Sequence, residues 1–441
     1  MSETAEITTL PPGKLSRLLR TWTASDDLPV LVVDDTASVR ELLCAHLRQI
    51  AGFSPEAASS LKELRELIAR NPRRFFCAAL DLKLPDAPNG EVVDEVLACG
   101  IPVIVLTASM DDKLRSEMQM RPIVDYVVKR NNNEIEHVAY IIGRLRENQT
   151  TKIIIADDSP SFCSYLEMLL KRYSYKTLIA RSGPEALKHL DENPDTTLII
   201  TDVHMAGMDG FELVANVRRR YRREDLAIIG VSGMANSGLS ARLMKLGAND
   251  LLAKPFEADE FYCRITQATN MVGYVRQIRH FATRDFLTGV FNRRQFFDLG
   301  ENLHANARRG NVQIATAVID ADHFKRINDT HGHHVGDQAL KAIANALVQC
   351  LRKTDVVARY GGEEFVCMAV MKSANDAPIV FERIRHAIEE LDLRAGPQQA
   401  PITVSVGVTV NLCEPLDAMI KRADAGVYEA KRAGRNRVVY V

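Results

Sequence analysis

The 441-residue sequence predicts an α/β protein in three parts: two copies of one doubly wound parallel-sheet domain, then a domain built around a β-hairpin. Two observations carry this. A series of apolar runs, each ending in acids, hydroxyls or lysine, occurs twice in the same order, and a Gly-Gly-Glu-Glu string follows between two β-rich runs. The length suits three domains of ordinary size.

The first copy opens with Val30-Leu31-Val32-Val33-Asp34-Asp35, and the second answers with Ile153-Ile154-Ile155-Ala156-Asp157-Asp158. Ala79-Leu80-Asp81 with Leu84-Pro85-Asp86 recurs as Ile200-Thr201-Asp202 with Met208-Asp209-Gly210. Val103-Ile104-Val105-Leu106-Thr107 recurs as Ile228-Ile229-Gly230-Val231-Ser232, and Asp125-Tyr126-Val127-Val128-Lys129 as Asp250-Leu251-Leu252-Ala253-Lys254. Apolar strands alternating with helical stretches predict a parallel, doubly wound sheet. Ligands of such sheets sit at the strands' carboxyl ends, where these polar residues fall. An acid pair there suits Mg²⁺, a third aspartate suits a phosphoryl acceptor, and a hydroxyl and a lysine suit the product's oxygens. The copies differ at their last loop: Lys254-Pro255 in the second, Lys129-Arg130 in the first, which also places Lys83 just past Asp81.

In the last part, Val356-Val357-Ala358 and Phe365-Val366-Cys367-Met368 flank Arg359-Tyr360-Gly361-Gly362-Glu363-Glu364, a hairpin whose glycines are expected to take φ > 0 and to let backbone approach a ligand. Ile314-Ala315-Thr316-Ala317-Val318-Ile319 reads as a buried strand ending in Asp320-Ala321-Asp322. Two acidic sites brought together suit a cation holding a nucleotide triphosphate. No Gly-x-x-x-x-Gly-Lys-Ser/Thr string occurs, so P-loop chemistry is not expected. His331, His333 and His334 form a cluster, but no further histidine or cysteine stands nearby at a ligand spacing, so zinc is not expected either.

These residues identify families. From Asp285-Phe286-Leu287-Thr288 and Asn292-Arg293-Arg294, through Asp320-Ala321-Asp322-His323-Phe324-Lys325, Asn328-Asp329, Gly332-His333 and Gly336-Asp337, to Tyr428-Glu429-Ala430-Lys431 and Gly434-Arg435-Asn436, the C-terminal third resembles the GGDEF domain, the catalytic module of diguanylate cyclases, in a Gly-Gly-Glu-Glu-Phe form. The resemblance implies an α+β, nucleotidyl-cyclase-like fold and a reaction joining two GTP molecules into cyclic di-GMP with release of two pyrophosphates. By that likeness Asp320 and Glu363 ligate Mg²⁺ with Glu364 beside them, and Asn328 and Asp337 read guanine near His333. Lys325, Lys431 and Arg435 meet the triphosphate; Lys431 and Arg435, at i and i+4, are expected to share one helical face. Arg352-Lys353-Thr354-Asp355 matches the family's Arg-x-x-Asp product-inhibitory site, with Arg383 as a secondary contact.

Both upstream copies resemble two-component receiver domains of flavodoxin-like fold. The likeness makes Asp81 and Asp202 phospho-accepting aspartates and Asp34, Asp35, Asp157 and Asp158 Mg²⁺ acids. Thr107 and Ser232 become switch hydroxyls, with Lys129 and Lys254 as counter-cations. A sensor histidine kinase or phosphotransfer protein is the implied donor, unless one copy is a silent adaptor kept for packing. Since each GTP attacks the other, a homodimer is implied. The alternative of another class is a catalytically silent receptor for cyclic di-GMP.

The expected boundaries are a tail over 1–27, receivers over 28–148 and 151–268, a helical stalk over 269–284 and the catalytic domain over 285–441. Phe261, Ile265, Ala268, Val272, Val275 and Ala282 give an approximately heptad seam, read as a stalk able to pair with its twin, although a helix packed on its own domain gives a similar stripe. In the tail, Leu15, Leu18, Leu19 and Trp22 predict a short helix docked on the first receiver, the alternative being contact with a membrane surface. Charges nearly cancel, with 56 Lys+Arg against 57 Asp+Glu, so no nucleic-acid footprint is expected. The eight cysteines lack Cys-x-x-Cys pairs, and no long apolar run or secretory signal is present, so a cytoplasmic protein with reduced thiols and no transmembrane segment is expected.

Overall fold

The computed structural model describes residues 27–50, 52–70, 75–108, 118, 121–233, 237–395, 398–399, 401–412 and 415–441. The predicted tail helix at Leu15–Trp22 lies outside them. The described chain forms two compact units, one ending at Gly273 and one beginning at Tyr274.

The first unit contains both copies of the repeat. Strands β1 (Leu28–Val33), β2 (Phe53–Ala58), β3 (Cys77–Asp81), β4 (Val103–Thr107) and β5 (Asp125–Val128) form a parallel sheet in the order β2-β1-β3-β4-β5. Helices α1 (Ala37–Gln49), α2 (Leu61–Arg70), α3 (Glu91–Ala98) and α4 (Asn132–Asn148) accompany it. The second sheet repeats that order with β6 (Lys152–Ala156), β7 (Lys176–Ala180), β8 (Leu198–Asp202), β9 (Ala227–Ser232) and β10 (Asp250–Ala253), running β7-β6-β8-β9-β10. Its helices are α5 (Pro160–Arg172), α6 (Gly183–Glu192), α7 (Gly210–Arg218), α8 (Ser237–Leu246) and α9 (Ala258–Thr283). Helix starts follow the sequence chemistry: Ser159 caps α5 with Pro160 in its first turn, and Asp209 caps α7 by accepting from the Glu212 amide at 2.8 Å. The departure after Lys129 also has a local cause, because Asn131 and Glu134 form a reciprocal capping box that starts α4.

The two repeats share one apolar core. Val138, Ile142 and Leu145 of α4 cluster with Leu166 and Leu170 of α5 and with Phe261, Ile265 and Val272 of α9. Burying such side chains is worth roughly 2–3 kcal/mol each. This corrects the first four positions of the expected stalk seam in favour of a helix packed on its own domain: Phe261, Ile265, Ala268 and Val272 are buried within the first unit, while Val275 is half-buried and Ala282 exposed. The stripe that α9 leaves exposed is Met271, Tyr274, Ile278 and Phe281, at 37%, 58%, 65% and 70%.

The second unit is built on a six-stranded mixed sheet. Its strands are β11 (Phe291–Asn292), β12 (Gln313–Ala321), β13 (Val356–Arg359), β14 (Glu364–Met371), β17 (Val404–Thr409) and β18 (Arg437–Tyr440). Their order is β11-β13-β14-β12-β17-β18, and a separate small hairpin joins β15 (Arg394–Ala395) to β16 (Gln398–Gln399). Helices α10 (Arg293–Arg308), α11 (Phe324–His331), α12 (His333–Cys350), α13 (Ala377–Glu389) and α14 (Leu416–Arg432) complete it. The α14 backbone lies hard against β17: a Cβ on Gly407 would stand 1.9 Å from the Ala423 carbonyl oxygen, so only glycine fits. That close packing delivers the last turn of α14 to the carboxyl end of β12. Among the described residues, no helix is long and apolar enough to cross a membrane.

Candidate active site

Antiparallel pairing makes one site of the two acidic segments. Strand β12 runs against β14 in a register that sets Ile319 opposite Phe365 and Asp320 opposite Glu364. Alternation then buries Phe365 in the core and turns the acids toward the rim. The Glu363 carbonyl accepts from the Ala321 amide at 3.2 Å, which ties the hairpin tip to the strand end.

Asp320 is 4% exposed; its Oδ2 lies 2.8 Å from Lys431 Nζ, while Oδ1 is buried with no hydrogen-bond partner. Burial pushes the Asp320 carboxyl up, against the pull of Lys431. Glu363 and Glu364 are likewise raised, first by burial and then by the charge on Asp320. Three carboxylates disfavoured as bare anions, one with an orphaned oxygen, fit a hard divalent cation.

The Gly-Gly turn differs from expectation. The hairpin is present, but neither Gly361 nor Gly362 adopts a left-handed φ. A Cβ on Gly361 would meet Glu364 Oε2 at 2.7 Å and displace that carboxylate, while one on Gly362 would meet nothing within 4 Å. The tip is held from below: Arg359 donates through Nη2 to the Gly362 carbonyl at 2.6 Å and through Nη1 to Asp285 Oδ1 at 3.1 Å. Asp285 in turn accepts from the Thr288 hydroxyl at 2.6 Å.

Lys325 and Asn328 lie on α11, and His333 and Asp337 occupy the first turns of α12 after Gly332. Asn328 Oδ1 is buried and unpartnered. Lys431 falls in the last turn of α14, but Arg435 does not share its helical face. The helix ends at Arg432, Gly434 turns the chain, and Arg435 takes a left-handed φ of 64°. Two further residues face the acids: the charge on Asp424 of α14, which no sequence motif marks, opposes ionisation of Asp320 and Glu364, and that of Arg293, from the Asn292-Arg293-Arg294 string, favours ionisation of Glu364. Asp424 stands seven residues before Lys431, a helical spacing that could have marked it.

Away from this site, Asp355 accepts from the Arg352 and Val370 amides at 2.8 and 3.0 Å, and Arg383 donates to the Cys350 carbonyl at 2.7 Å. The Arg-x-x-Asp turn and Arg383 are thus brought together at the end of α12.

In the first repeat, Lys129 Nζ bridges Asp34 and Asp81 at 2.8 and 2.7 Å, and ligand oxygens of Asp34, Asp35 and Asp81 lie within 4.8 Å of one another. Burial raises the Asp81 carboxyl, with Lys129 opposing. In the second repeat, Lys254 Nζ bridges Asp157 and Asp202 at 3.1 and 2.8 Å, and the Lys254–Pro255 peptide that follows is cis. Asp158 accepts from the Ala206 amide at 3.3 Å. Thr107 and Ser232 are buried at the ends of β4 and β9. Lys83 meets Asp81 through its backbone amide at 3.4 Å.

Residues 282–437 match the family described as diguanylate cyclase, GGDEF domain, and residues 153–266 match the response regulator receiver domain. A solved two-component system response regulator/GGDEF domain protein is 32% identical, with a TM-score of 0.52; the match covers 56% of this chain and 99% of that one. The chain belongs to the response regulator/GGDEF family. Response regulator PleD of Caulobacter vibrioides is 27% identical over 93% of this chain and 98% of its own length. Diguanylate cyclase DgcM of Escherichia coli is 36% identical over 40% of this chain and 43% of its own. The C-terminal domain is of the diguanylate cyclase type, and the upstream fold is that of a receiver.

Proposed function

We propose that this response regulator condenses two GTP molecules into cyclic di-GMP under the control of aspartyl phosphorylation. The observation that carries the reading is Asp320 set opposite Glu364, with one oxygen orphaned and the other on Lys431. Asp320 and Glu363 would hold Mg²⁺, which when bound neutralises triphosphate charge. Asn328 and Asp337 accept from the guanine edge, beside His333, and Lys325, Lys431 and Arg435 grip phosphate oxygens. Each 3′-hydroxyl attacks the other nucleotide's α-phosphorus, two phosphodiester bonds form and two pyrophosphates leave, so two domains from two chains must face each other. The residues supply position and charge, which such transfers mainly require.

Control comes from the receivers. Asp202 and Asp81 are the phosphoacceptors for a histidine kinase or phosphotransfer protein, with Asp34, Asp35, Asp157 and Asp158 as Mg²⁺ acids. Ser232 and Thr107, with Lys254 and Lys129, bind the phosphoryl oxygens. Arg352, Asp355 and Arg383 form the product-inhibitory site. The test is direct: the purified whole chain with GTP and Mg²⁺ is expected to yield cyclic di-GMP and two equivalents of pyrophosphate. A folded protein that binds cyclic di-GMP yet forms none would instead be a silent receptor.

A further inference from the structure

Asp322, two residues beyond the metal aspartate, is 3% exposed. Its carboxylate collects three donors: Ser405 Oγ at 2.7 Å on Oδ1, and Thr403 Oγ1 at 2.8 Å with the Asn436 backbone amide at 3.0 Å on Oδ2. The last of these comes from an unusual backbone. Gly434, Arg435 and Asn436 have φ of 110°, 64° and 45° in succession. Asparagine adopts this region readily, but arginine holds it only where its surroundings fix it. The Asn436 side chain is fixed too, donating to Glu389 Oε1 at 2.7 Å and accepting from Arg385 Nη1 at 3.0 Å.

The turn determines where Arg435 points. Its Nε lies 4.0 Å from Asp322 Oδ1, beyond hydrogen-bond reach, and its side chain remains 40% exposed. Asp322 therefore orients Arg435 without consuming its donors, which stay available for a phosphate.

We infer that Asp322 is a positioning residue for the reaction: its buried carboxylate anchors the left-handed Arg435–Asn436 turn and so directs the Arg435 guanidinium at the nucleotide's phosphates. This rests on the phosphate role proposed for Arg435. An alanine at 322 would take the acceptor from all three donors and leave the Asn436 amide unpaired, whereas an asparagine can keep Oδ1 on Asn436 and Thr403 and turn Nδ2 to the Ser405 hydroxyl, which accepts.

The experiment uses the whole chain carrying Asp322→Ala, Asp322→Asn or Arg435→Ala, and Asp322→Ala combined with Arg435→Ala. Turnover with GTP and Mg²⁺ gives KM and kcat, and thermal melting reports folding. Asp322→Ala is expected to raise KM for GTP about tenfold, the scale of one charge-assisted hydrogen bond, with a smaller change in kcat, and Asp322→Asn, which keeps an acceptor for the Asn436 amide, to stay nearer the wild-type value. Arg435→Ala is expected to raise KM as Asp322→Ala does, and the double variant to be no worse than either single one. If Asp322→Ala leaves KM unchanged while Arg435→Ala raises it, or if the two effects multiply, the inference fails and the role of Arg435 stands. If Arg435→Ala itself leaves KM unchanged, the phosphate role falls and the inference with it. Should Asp322→Ala not melt cooperatively, Asp322→Ser, too short to reach the Asn436 amide, decides by the same criteria.

Discussion

Asn328 Oδ1 occupies the space that a Cβ on Gly336 would fill, 1.9 Å away, and it is buried there without a partner. An acceptor left unpaired between α11 and α12 would suit the N–H donors of guanine, the role proposed for Asn328. The glycine one helix over keeps the amide in place. Gly336→Ala is expected to push Asn328 aside and raise KM for GTP about tenfold, while narrowing the preference for GTP over inosine triphosphate, which lacks the 2-amino donor. Competition kinetics with the two nucleotides measures this, and an unaltered preference would show that Asn328 does not read the base.

The metal site should respond to pH in a defined direction. Burial raises Asp320, Glu363 and Glu364, so protons compete for them at higher pH than for free carboxylates. Activity is expected to fall as pH drops through those raised values, and added Mg²⁺ to move that acid limb to lower pH. Profiles of kcat/KM at two Mg²⁺ concentrations test it; an acid limb indifferent to Mg²⁺ would count against metal binding by these residues. Asp320→Asn or Glu363→Ala is expected to cut turnover by about a thousandfold or more with the melting midpoint retained.

Much of this site is readable from sequence because its parts are local. A strand that ends in Asp320 and a hairpin tipped by Glu363 and Glu364 declare themselves through apolar alternation and glycine. Their meeting depends on the β12–β14 register, which the core residues Ile319 and Phe365 fix from a distance. The i, i+4 spacing that suggests a helical Arg435 is overridden by the stop signal of Gly434. Asp285 is visible only as part of a string; its grip on Arg359 spans 74 residues of chain. The seam on α9 misleads for a different reason. One helix carries two apolar stripes, and periodicity does not reveal which stripe the receivers cover.

The Asp285–Arg359–Gly362 chain predicts an effect on the hairpin. Asp285→Asn keeps the shape but removes the charge that holds Arg359, a half-buried pair with side chains 15% and 14% exposed. The Gly362 carbonyl would then be held by a less constrained guanidinium. Turnover is expected to fall about tenfold, on the scale of one charged hydrogen bond, with kcat carrying the loss. Equal kcat in the variant would mean that the β-turn alone positions Glu363.

Beryllofluoride, a mimic of the aspartyl phosphate, is expected to raise specific activity in the wild-type chain. The two receivers offer it different sites. Asp34, Asp35 and Asp81 already gather their oxygens, whereas Asp158 is turned to the Ala206 amide. Asp202→Asn and Asp81→Asn, assayed separately, assign the response. Unchanged activity in the wild type would make the receivers constitutive scaffolds.

The exposed stripe of α9 yields the last prediction. Met271, Tyr274, Ile278 and Phe281 follow the 3-4-3 spacing of a coiled-coil seam, and large apolar side chains this exposed are expected to find a cover. Because the proposed reaction would need two catalytic domains face to face, a second copy of the helix is the cover we expect. Ile278→Asp and Phe281→Asp should lower the dimer fraction in sedimentation and lower turnover in parallel, with high protein concentration restoring part of both. Val272→Asp behaves differently: that side chain is 0% exposed in the shared receiver core. An unpaired charge there should depress the melting midpoint of the receivers, because burial strongly disfavours it. If Ile278→Asp and Phe281→Asp leave both sedimentation and turnover at wild-type values, the helix is not the dimer contact, and the facing of two GTP sites must be arranged by the receivers alone.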